Sequence, residues 1–322
     1  MAGRLPEADG NVLITSISKK VPLIKAVKKA VRKYRRKGRV IGGDCSENIV
    51  GRFFVDDFWL MPPTEQLDIE VLINYCKQNN VMSIIPTRDG ELSFFAANAN
   101  LLEENGFSVM IANYVTVQRC LDKLLFGEVL NDFNYPAIST VARIEELSCE
   151  SYVVKERYGA GSQKIALNCS RQDAIKHAGL LESPIFQPFI EGREISVDLY
   201  VGKDGICKGV VARTRELVVS GESQITRTIR DEKLESMCAE MAEKLGIYGH
   251  AVFQVVMDDQ ANYHIIECNN RFGGASSLSL AAGLDSFYWF LLESSGYSIG
   301  PELFVRSPEE KTQVRYAEDL IF

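Results

Sequence analysis

The sequence predicts an α/β protein: a parallel sheet in its first third, then an α+β region in two parts. Three observations predict this. Apolar strand-like runs alternate with segments of helical period from residue 11 to about 115. The texture then shifts to short β-branched runs broken by glycine turns, and no apolar run approaches the roughly 18 residues that a membrane span needs. At 322 residues, 46% hydrophobic and 25% charged, the chain has ordinary globular composition and is long enough for two or three domains.

In order, "NVLITS" reads as a buried strand, Val21 to Lys37 as a helix, "RVIGGD" as a second strand and Asp68 to Asn79 as a helix. "VMSIIP" follows as a third strand, Gly90 to Asn105 as a helix and "FSVMIA" as a fourth strand. Such alternation implies a parallel sheet with helices on its faces, and ligands of such sheets sit at the carboxyl ends of the strands. Here those ends are Thr15 to Lys20, Asp44, and Thr87 to Glu91. A dinucleotide site needs GxGxxG after the first strand, whereas this chain has Thr15 to Lys20 there, so a nicotinamide enzyme loses its main support and Asp44 reads as a loop cap.

Net charge is −7, which argues against bulk electrostatic binding of nucleic acid. The basic stretch "KAVKKAVRKYRRKGR" belongs to a helix whose Val21, Ile24, Val27, Val31 and Tyr34 recur at helical spacing. Lys25, Lys28, Lys29, Arg32, Lys33, Arg35 and Arg36 mostly fill its other faces, the pattern of a solvated helix. Eight scattered cysteines with no CxxC pair, and only three histidines, argue against a zinc site and a disulfide framework. The polar opening "MAGRLPEADG" lacks the apolar core of a signal peptide, so the expected location is the cytoplasm.

The second region begins with a helix, "TVQRCLDKLLFGEVL". In "SYVVKERYGAGSQKIALN", strand alternation puts Val153, Lys155 and Arg157 on one face, with Gly159, Gly161 and Ser162 at a hairpin tip. A strand lysine beneath a glycine-rich tip can hold phosphate, because backbone amides approach where a Cβ would obstruct; the alternative is a plain glycine hairpin. In "SPIFQPFIEGREISVDLYV" the link at Glu191 and Gly192 can offer backbone groups to an adenine edge, with Glu194 beyond it for ribose hydroxyls; the alternative is a simple crossover between lobes.

"AVFQVVM" and "YHIIECN" form a hairpin through Asp258 to Asn262, whose register sets Gln254 opposite Glu267. Alternation adds Asn269 to the same face. Three converging oxygen donors suit Mg²⁺, which takes few protein ligands and completes its shell with phosphate oxygens and water. Arg271, two residues on, supplies a cation for a phosphoryl group; the alternative is a carboxylate and an arginine pairing with each other. Arg213 and Arg215, on one face of a strand, can grip a substrate carboxylate or acyl phosphate, or are surface arginines. Among the sheet ends, Arg88, Asp89 and Glu91 are candidates for a substrate amine or hydroxyl, with Asp89 also suited to capping a loop.

The order of these pieces, ending in ExNxRFGG, resembles the ATP-grasp superfamily, and more closely the branch similar to the carbamoyl-phosphate synthase large subunit and related carboxylate-amine ligases. The resemblance covers residues from about 11 to about 290. It implies a Rossmann-like pre-ATP-grasp domain at 11–115, a small lobe or lid at 116–188 and a large lobe at 189–322. It further implies that Lys123 and Lys155 hold ATP phosphates under a flap from Gly159 to Ser162. Gln187, Phe189 and Ile190 occupy adenine-reading positions, and Glu194 the ribose position. Gln254, Glu267 and Asn269 match ligands of Mg²⁺, or of Mn²⁺ in its place, and Arg271 matches the arginine that steadies the transferred phosphoryl group. The chain departs from many relatives at Gln254, where aspartate is common, and at Pro188, where a charged residue is common.

The implied activity is an ATP-dependent carboxylate-amine ligase that passes through an acyl phosphate and releases ADP and phosphate. A grasp-type small-molecule kinase and a non-catalytic nucleotide-binding regulator are the alternatives. The expected partners are a small carboxylate and an amine of amino-acid-like chemistry, with neither nucleic acid nor membrane, and a homodimer is the default assembly.

Overall fold

The computed structural model describes residues 10–34, 37–159, 161, 164–300 and 303–321. The first region runs β1 (Asn11–Thr15), α1 (Val21–Tyr34), β2 (Val40–Asp44), β3 (Asp57–Leu60), α2 (Ile69–Gln78), β4 (Val81–Ile85), α3 (Asp89–Ala97), α4 (Ala99–Glu104) and β5 (Ser108–Val109). Its strands form a five-stranded parallel sheet in the order β3-β2-β1-β4-β5. β1 is central and its Val12, Leu13 and Ile14 are fully buried, which is why the strand reads as an unbroken apolar run. The order reverses between β1 and β4, so the carboxyl ends of those two strands form the switch point of the sheet.

α1 buries Leu23, Ile24, Val27, Ala30, Val31 and Tyr34, the face that its period predicts. Two cations of its basic stripe have local partners: Lys28 pairs with Asp56 at 2.6 Å, and Lys33 pairs with Asp285 at 2.8 Å and lies over the Tyr288 ring. Arg35 and Arg36 lie outside the described residues. β3 had no counterpart in the sequence reading, because "DFWL" is short and half-exposed. The helix expected over 90–105 breaks at Asn98, whose side-chain amide donates to the Phe94 carbonyl at 2.8 Å.

The second region continues with α5 (Tyr114–Leu121), α6 (Lys123–Asp132), β6 (Tyr152–Glu156), β7 (Ala166–Cys169), α7 (Arg171–Ala178) and β8 (Pro184–Pro188). Next come β9 (Arg193–Val201), β10 (Cys207–Val219), β11 (Glu222–Ile229), α8 (Glu232–Leu245), β12 (Gly249–Met257) and β13 (Tyr263–Asn269). The last elements are α9 (Ser277–Ala281), α10 (Ser286–Glu293) and β14 (Thr312–Val314). β7-β6-β8 form a small antiparallel sheet, and β13-β12-β9-β10-β11-β14 a large one. The C-terminal segment, which carried no sequence signal, supplies β14 at the edge of the large sheet.

One helix was expected across 116–130, but Asp122 divides it. Its carboxylate accepts from the Leu124 and Leu125 N–H groups at 3.1 Å each and so starts α6 afresh. Both α5 and α6 pack on the large sheet: Cys120, Phe126 and Leu130 share a core with Ile195, Val197, Leu199, Phe253 and Val255. These helices therefore sit with the large lobe rather than with the small sheet. Each fully buried leucine or phenylalanine there contributes about 1.5–3 kcal/mol.

Candidate active site

Strand register builds the floor of the site. Gln254 faces Glu267 on one side and Ser196 on the other, and Ser196 faces Arg213, so Glu267, Gln254, Ser196 and Arg213 form one row across four strands. The adjacent row is Asn269, Val252, Asp198 and Val211. Partners across a sheet share a face, so Glu267, Gln254 and Asn269 converge. Asn269 Nδ2 donates to Glu267 Oε1 at 3.3 Å. Asn270 points the other way; it is buried, and neither of its amide atoms has a partner among the described residues.

The small sheet forms the roof. Lys155 and Val153 on β6 pair with Ile185 and Gln187 on β8, so all four share a face. Gln187 Nε2 donates to Thr140 Oγ1 at 2.8 Å. Lys155 is buried, and burial pushes its ammonium from the ordinary 10.5 down to about 8, with Glu267 opposing and Lys123 adding to the fall. Lys123 Nζ donates to the Gly159 carbonyl at 2.7 Å, tying the start of α6 to the hairpin tip. A small pocket beside the hairpin tip is lined by Asp89, Lys123, Gly159, Glu267 and Asn269.

The hairpin has a second tie. Arg157 grips Asp122 through Nε at 2.7 Å and Nη2 at 2.5 Å, and the Tyr158 hydroxyl donates to the same carboxylate at 3.0 Å. Burial alone would raise the Asp122 pKa, but these partners hold it below the usual range. Gly161 occupies the left-handed region at φ +72°, as a tight tip requires. Ser162 lies outside the described residues.

The link between lobes is shaped by two residues. Phe189 N–H donates to the Ser151 carbonyl at 2.9 Å, so Pro188 faces Tyr152 at a position with no ladder bond to lose, and its carbonyl turns away from β6. This explains how proline replaces a charged residue there. Gly192 lies against β12 so closely that a Cβ would come within 2.4 Å of the Met257 carbonyl oxygen, which holds the link to the large sheet. Beyond it, Glu194 accepts from Arg215 Nη1 at 2.8 Å, and Arg215 also donates to Gly221 O and Ser223 Oγ.

The first region closes the Asn269 end of the floor. Arg271 does not pair with Glu267; it forms a two-pronged ion pair with Asp89 at 2.8 and 2.6 Å and reaches Asn269 Oδ1 at 3.2 Å. Two residues considered for substrate contact are occupied internally. Glu91 is fully buried and accepts from Thr15 Oγ1, Ser16 Oγ, Thr87 N and Arg88 N, bracing the ends of β1 and β4. Arg213 is no surface arginine: it is buried against Asp198 at 2.7 Å. Asp198 also accepts from Ser276 and Ser279 hydroxyls and meets His250 Nε2 at 3.2 Å. Burial would raise the Asp198 pKa, yet Arg213, His250 and Ser276 hold it well below the carboxylate range. Asp44 caps a loop, accepting from Ser18 N at 2.9 Å.

Comparison with known proteins decides the family. Residues 120–275 match the model of the ATP-grasp domain, and residues 12–110 match the PylC-like N-terminal domain. The chain carries an ATP-grasp domain. A curated relative of this ATP-grasp chain is the carbamoyl phosphate synthase large chain of Thermomicrobium roseum, 23% identical over 248 residues, or 68% of this chain. The match spans only 23% of that relative's length. Among solved structures, the fold is similar to the biotin carboxylase domain dimer of Hydrogenobacter thermophilus 2-oxoglutarate carboxylase, in complex with MgADP and bicarbonate. That likeness has a TM-score of 0.76 at 13% identity and covers 94% of this chain and 74% of that one. N5-carboxyaminoimidazole synthetase from Staphylococcus aureus, complexed with ADP, gives a TM-score of 0.70 at 16% identity, covering 92% and 79%.

Three residues around the site escaped the sequence reading. Asp122 carried a usable signal, an aspartate three residues before the apolar Leu125 and Phe126. Asp198 stood alone in the apolar run "ISVDLYV", a pattern that marks a buried acid without naming its partner. Lys20 lies in the segment flagged as a sheet end, but its Nζ donates to Thr87 O at 2.6 Å and Thr87 Oγ1 at 2.7 Å, contacts between residues 67 apart. No described helix is long and apolar enough to cross a membrane.

Proposed function

We propose that this ATP-grasp protein is an ATP-dependent carboxylate-amine ligase that forms an amide or peptide-like bond. The observation that carries the reading is the meeting of Lys123, Lys155, Glu267, Asn269 and Arg271 at one end of a cleft whose other end is the Pro188–Glu194 link. Two ammonium groups beside one carboxylate suit a triphosphate, since phosphoryl transfer relies on positioning and charge stabilisation.

Lys155 and Lys123 hold phosphate oxygens while the Gly159–Gly161 tip covers them. The backbone at Pro188 and Ile190, with Gln187 and Phe189, receives the adenine, and Glu194 accepts from ribose hydroxyls with Arg215 fixing its carboxylate. Gln254, Glu267 and Asn269 fit Mg²⁺. Among the described residues no group of three or more His, Cys, Asp or Glu is placed to hold a metal ion, and this set has one carboxylate and two amides. That donor set suits a cation held mainly by nucleotide phosphates rather than by a protein cage. When bound, Mg²⁺ supplies charge neutralisation at the phosphates; Mn²⁺ has the same ligand preference and is an expected substitute.

A substrate carboxylate oxygen attacks the γ-phosphorus, the bond to the bridging oxygen breaks and ADP leaves. Arg271, aimed by Asp89, steadies the charge of the phosphoryl group in transit. An amine nitrogen then attacks the acyl carbon, the carbon–oxygen bond to phosphate breaks, and the amine proton is lost to solvent. The closed tip keeps the acyl phosphate from water.

The test is incubation with Mg-ATP and pooled acids and amines, followed by mass spectrometry. ADP, phosphate and a condensation product that require both acid and amine are expected. AMP overturns the mechanism, and a phosphorylated acid that accumulates without amine marks a kinase instead.

A further inference from the structure

We propose that the crevice at the carboxyl ends of β1 and β4, walled by Ser16, Lys20, Thr87 and Arg88, binds a second anionic group of the acid substrate. This inference rests on the ligase reading and deepens it: the acid presents one carboxylate to the phosphate end beside Arg271 and a second carboxylate, or a phosphate, to this crevice.

The charges around the crevice are unequally spent. Asp89 is committed to Arg271, and both Glu91 oxygens are committed to hydroxyl and backbone donors. Lys20 spends two hydrogens on Thr87, and an ammonium has three. Arg88 has only a long contact of 3.4 Å to Ser16 Oγ and a distant Glu65 carboxylate at 3.9 Å, with both of those charged side chains largely exposed. One Lys20 hydrogen and most of the Arg88 guanidinium thus remain unspent at the switch point of a parallel sheet, where ligands of such sheets sit. Glu91, Arg271, Asp89 and Arg88 all act on the Lys20 charge, which joins the crevice to the Arg271 end of the cleft.

The chain also makes room for Arg88. Gly90 stands in the first turn of α3, where alanine would favour the helix, and a Cβ there would come within 2.6 Å of Arg88 Nη1. Only the guanidinium would have to move, so glycine at this place leaves room for the Arg88 side chain at the helix start rather than relieving the backbone. Ser16 is held at φ +52°, an uncommon conformation for a residue with a Cβ, and its hydroxyl donates to Glu91 Oε2 at 2.6 Å.

The experiment is calorimetric titration of the full chain, saturated with Mg-ADP, with glutarate, 3-phosphoglycerate and butyrate. At least one dianion should bind about tenfold or more tighter than butyrate, as one charge-assisted contact implies. The tighter of the two tells whether the second group is carboxylate or phosphate. Lys20→Met and Arg88→Gln should erase the preference, and Gly90→Ala should weaken it while leaving thermal stability equal or higher. Binding near pH 8 should take up a proton in wild type and less in Lys20→Met, a readout that a merely structural lysine would not move. Equal binding of all three acids, or a preference that survives both Lys20→Met and Arg88→Gln, overturns the proposal. Failure of wild type to bind Mg-ADP overturns the ligase reading instead.

Discussion

Asp89 and Arg271, 182 residues apart in sequence, share a two-pronged ion pair at 2.8 and 2.6 Å that joins the first turn of α3 to the loop after β13. The pair fixes where the guanidinium stands relative to Asn269. Asp89→Asn keeps the shape but leaves the arginine without its counter-charge. Stability should fall by about 1.5–3 kcal/mol, the worth of a hydrogen bond to a charged group, as read by urea unfolding. Turnover should fall further than Mg-ADP affinity, because Arg271 is placed to act on the group in transfer.

Lys155 lies buried with Lys123 and Glu267 as its charged neighbours. Lys155→Met should weaken Mg-ATP binding by about one to two orders of magnitude, since it deletes a charge-assisted contact. Stability at pH 7 should hold or rise, because the variant no longer buries an ammonium. Calorimetry and a thermal melt on the same sample separate the two effects.

The pH dependence follows from the direction of the Lys155 shift. Its folded pKa, about 8, lies below the ordinary 10.5, so between those values the unfolded chain holds a proton that the native chain lacks. Stability therefore gains from this group as pH rises from about 8 to 10.5, and the gain is absent in Lys155→Met. Nucleotide binding runs the other way: phosphate requires the ammonium, so Mg-ADP affinity should fall as pH rises above about 8. Lys20 shifts in the same direction, so the wild-type minus Lys155→Met difference is the quantity to plot.

Glu267 is the single carboxylate in a set whose other donors are Gln254 and Asn269. A titration with Mn²⁺ followed by electron paramagnetic resonance should show little binding without nucleotide and a defined site with ADP. Glu267→Gln should raise the metal concentration for half-maximal ADP release by about tenfold, one lost charge contact. Unchanged ADP release across the metal titration would remove Glu267 from the metal site.

Much of this arrangement was written locally. The Gln254–Glu267 register follows from two apolar runs and the short turn between them, and alternation then sends Asn269 the same way. The shared face of Lys155 and Val153 follows from the same period of two. Where reasoning from the chain stopped short, the cause was a polar residue whose partner lies far away in sequence. Asp122 divides a helix that its neighbours alone would continue, and its carboxylate is occupied by Arg157, 35 residues on. Glu91 and Arg213 looked free to meet a substrate, yet Thr15 and Ser16, with the backbone of Thr87 and Arg88, occupy the first and Asp198 pairs with the second.

By itself, then, the sequence determined the alternating parallel sheet and the hairpin that aligns the oxygen donors, because each depends on periodicity over a few residues, and the order of its motifs carried the resemblance to ATP-grasp proteins. Tertiary structure alone decided which charges remain available. Arg271 is aimed by Asp89, Arg213 is consumed by Asp198, and Lys20 and Arg88 are left over at the ends of β1 and β4. A charge is spent or spared by what lies within about 4 Å of it, and folding brings those neighbours from anywhere in the chain.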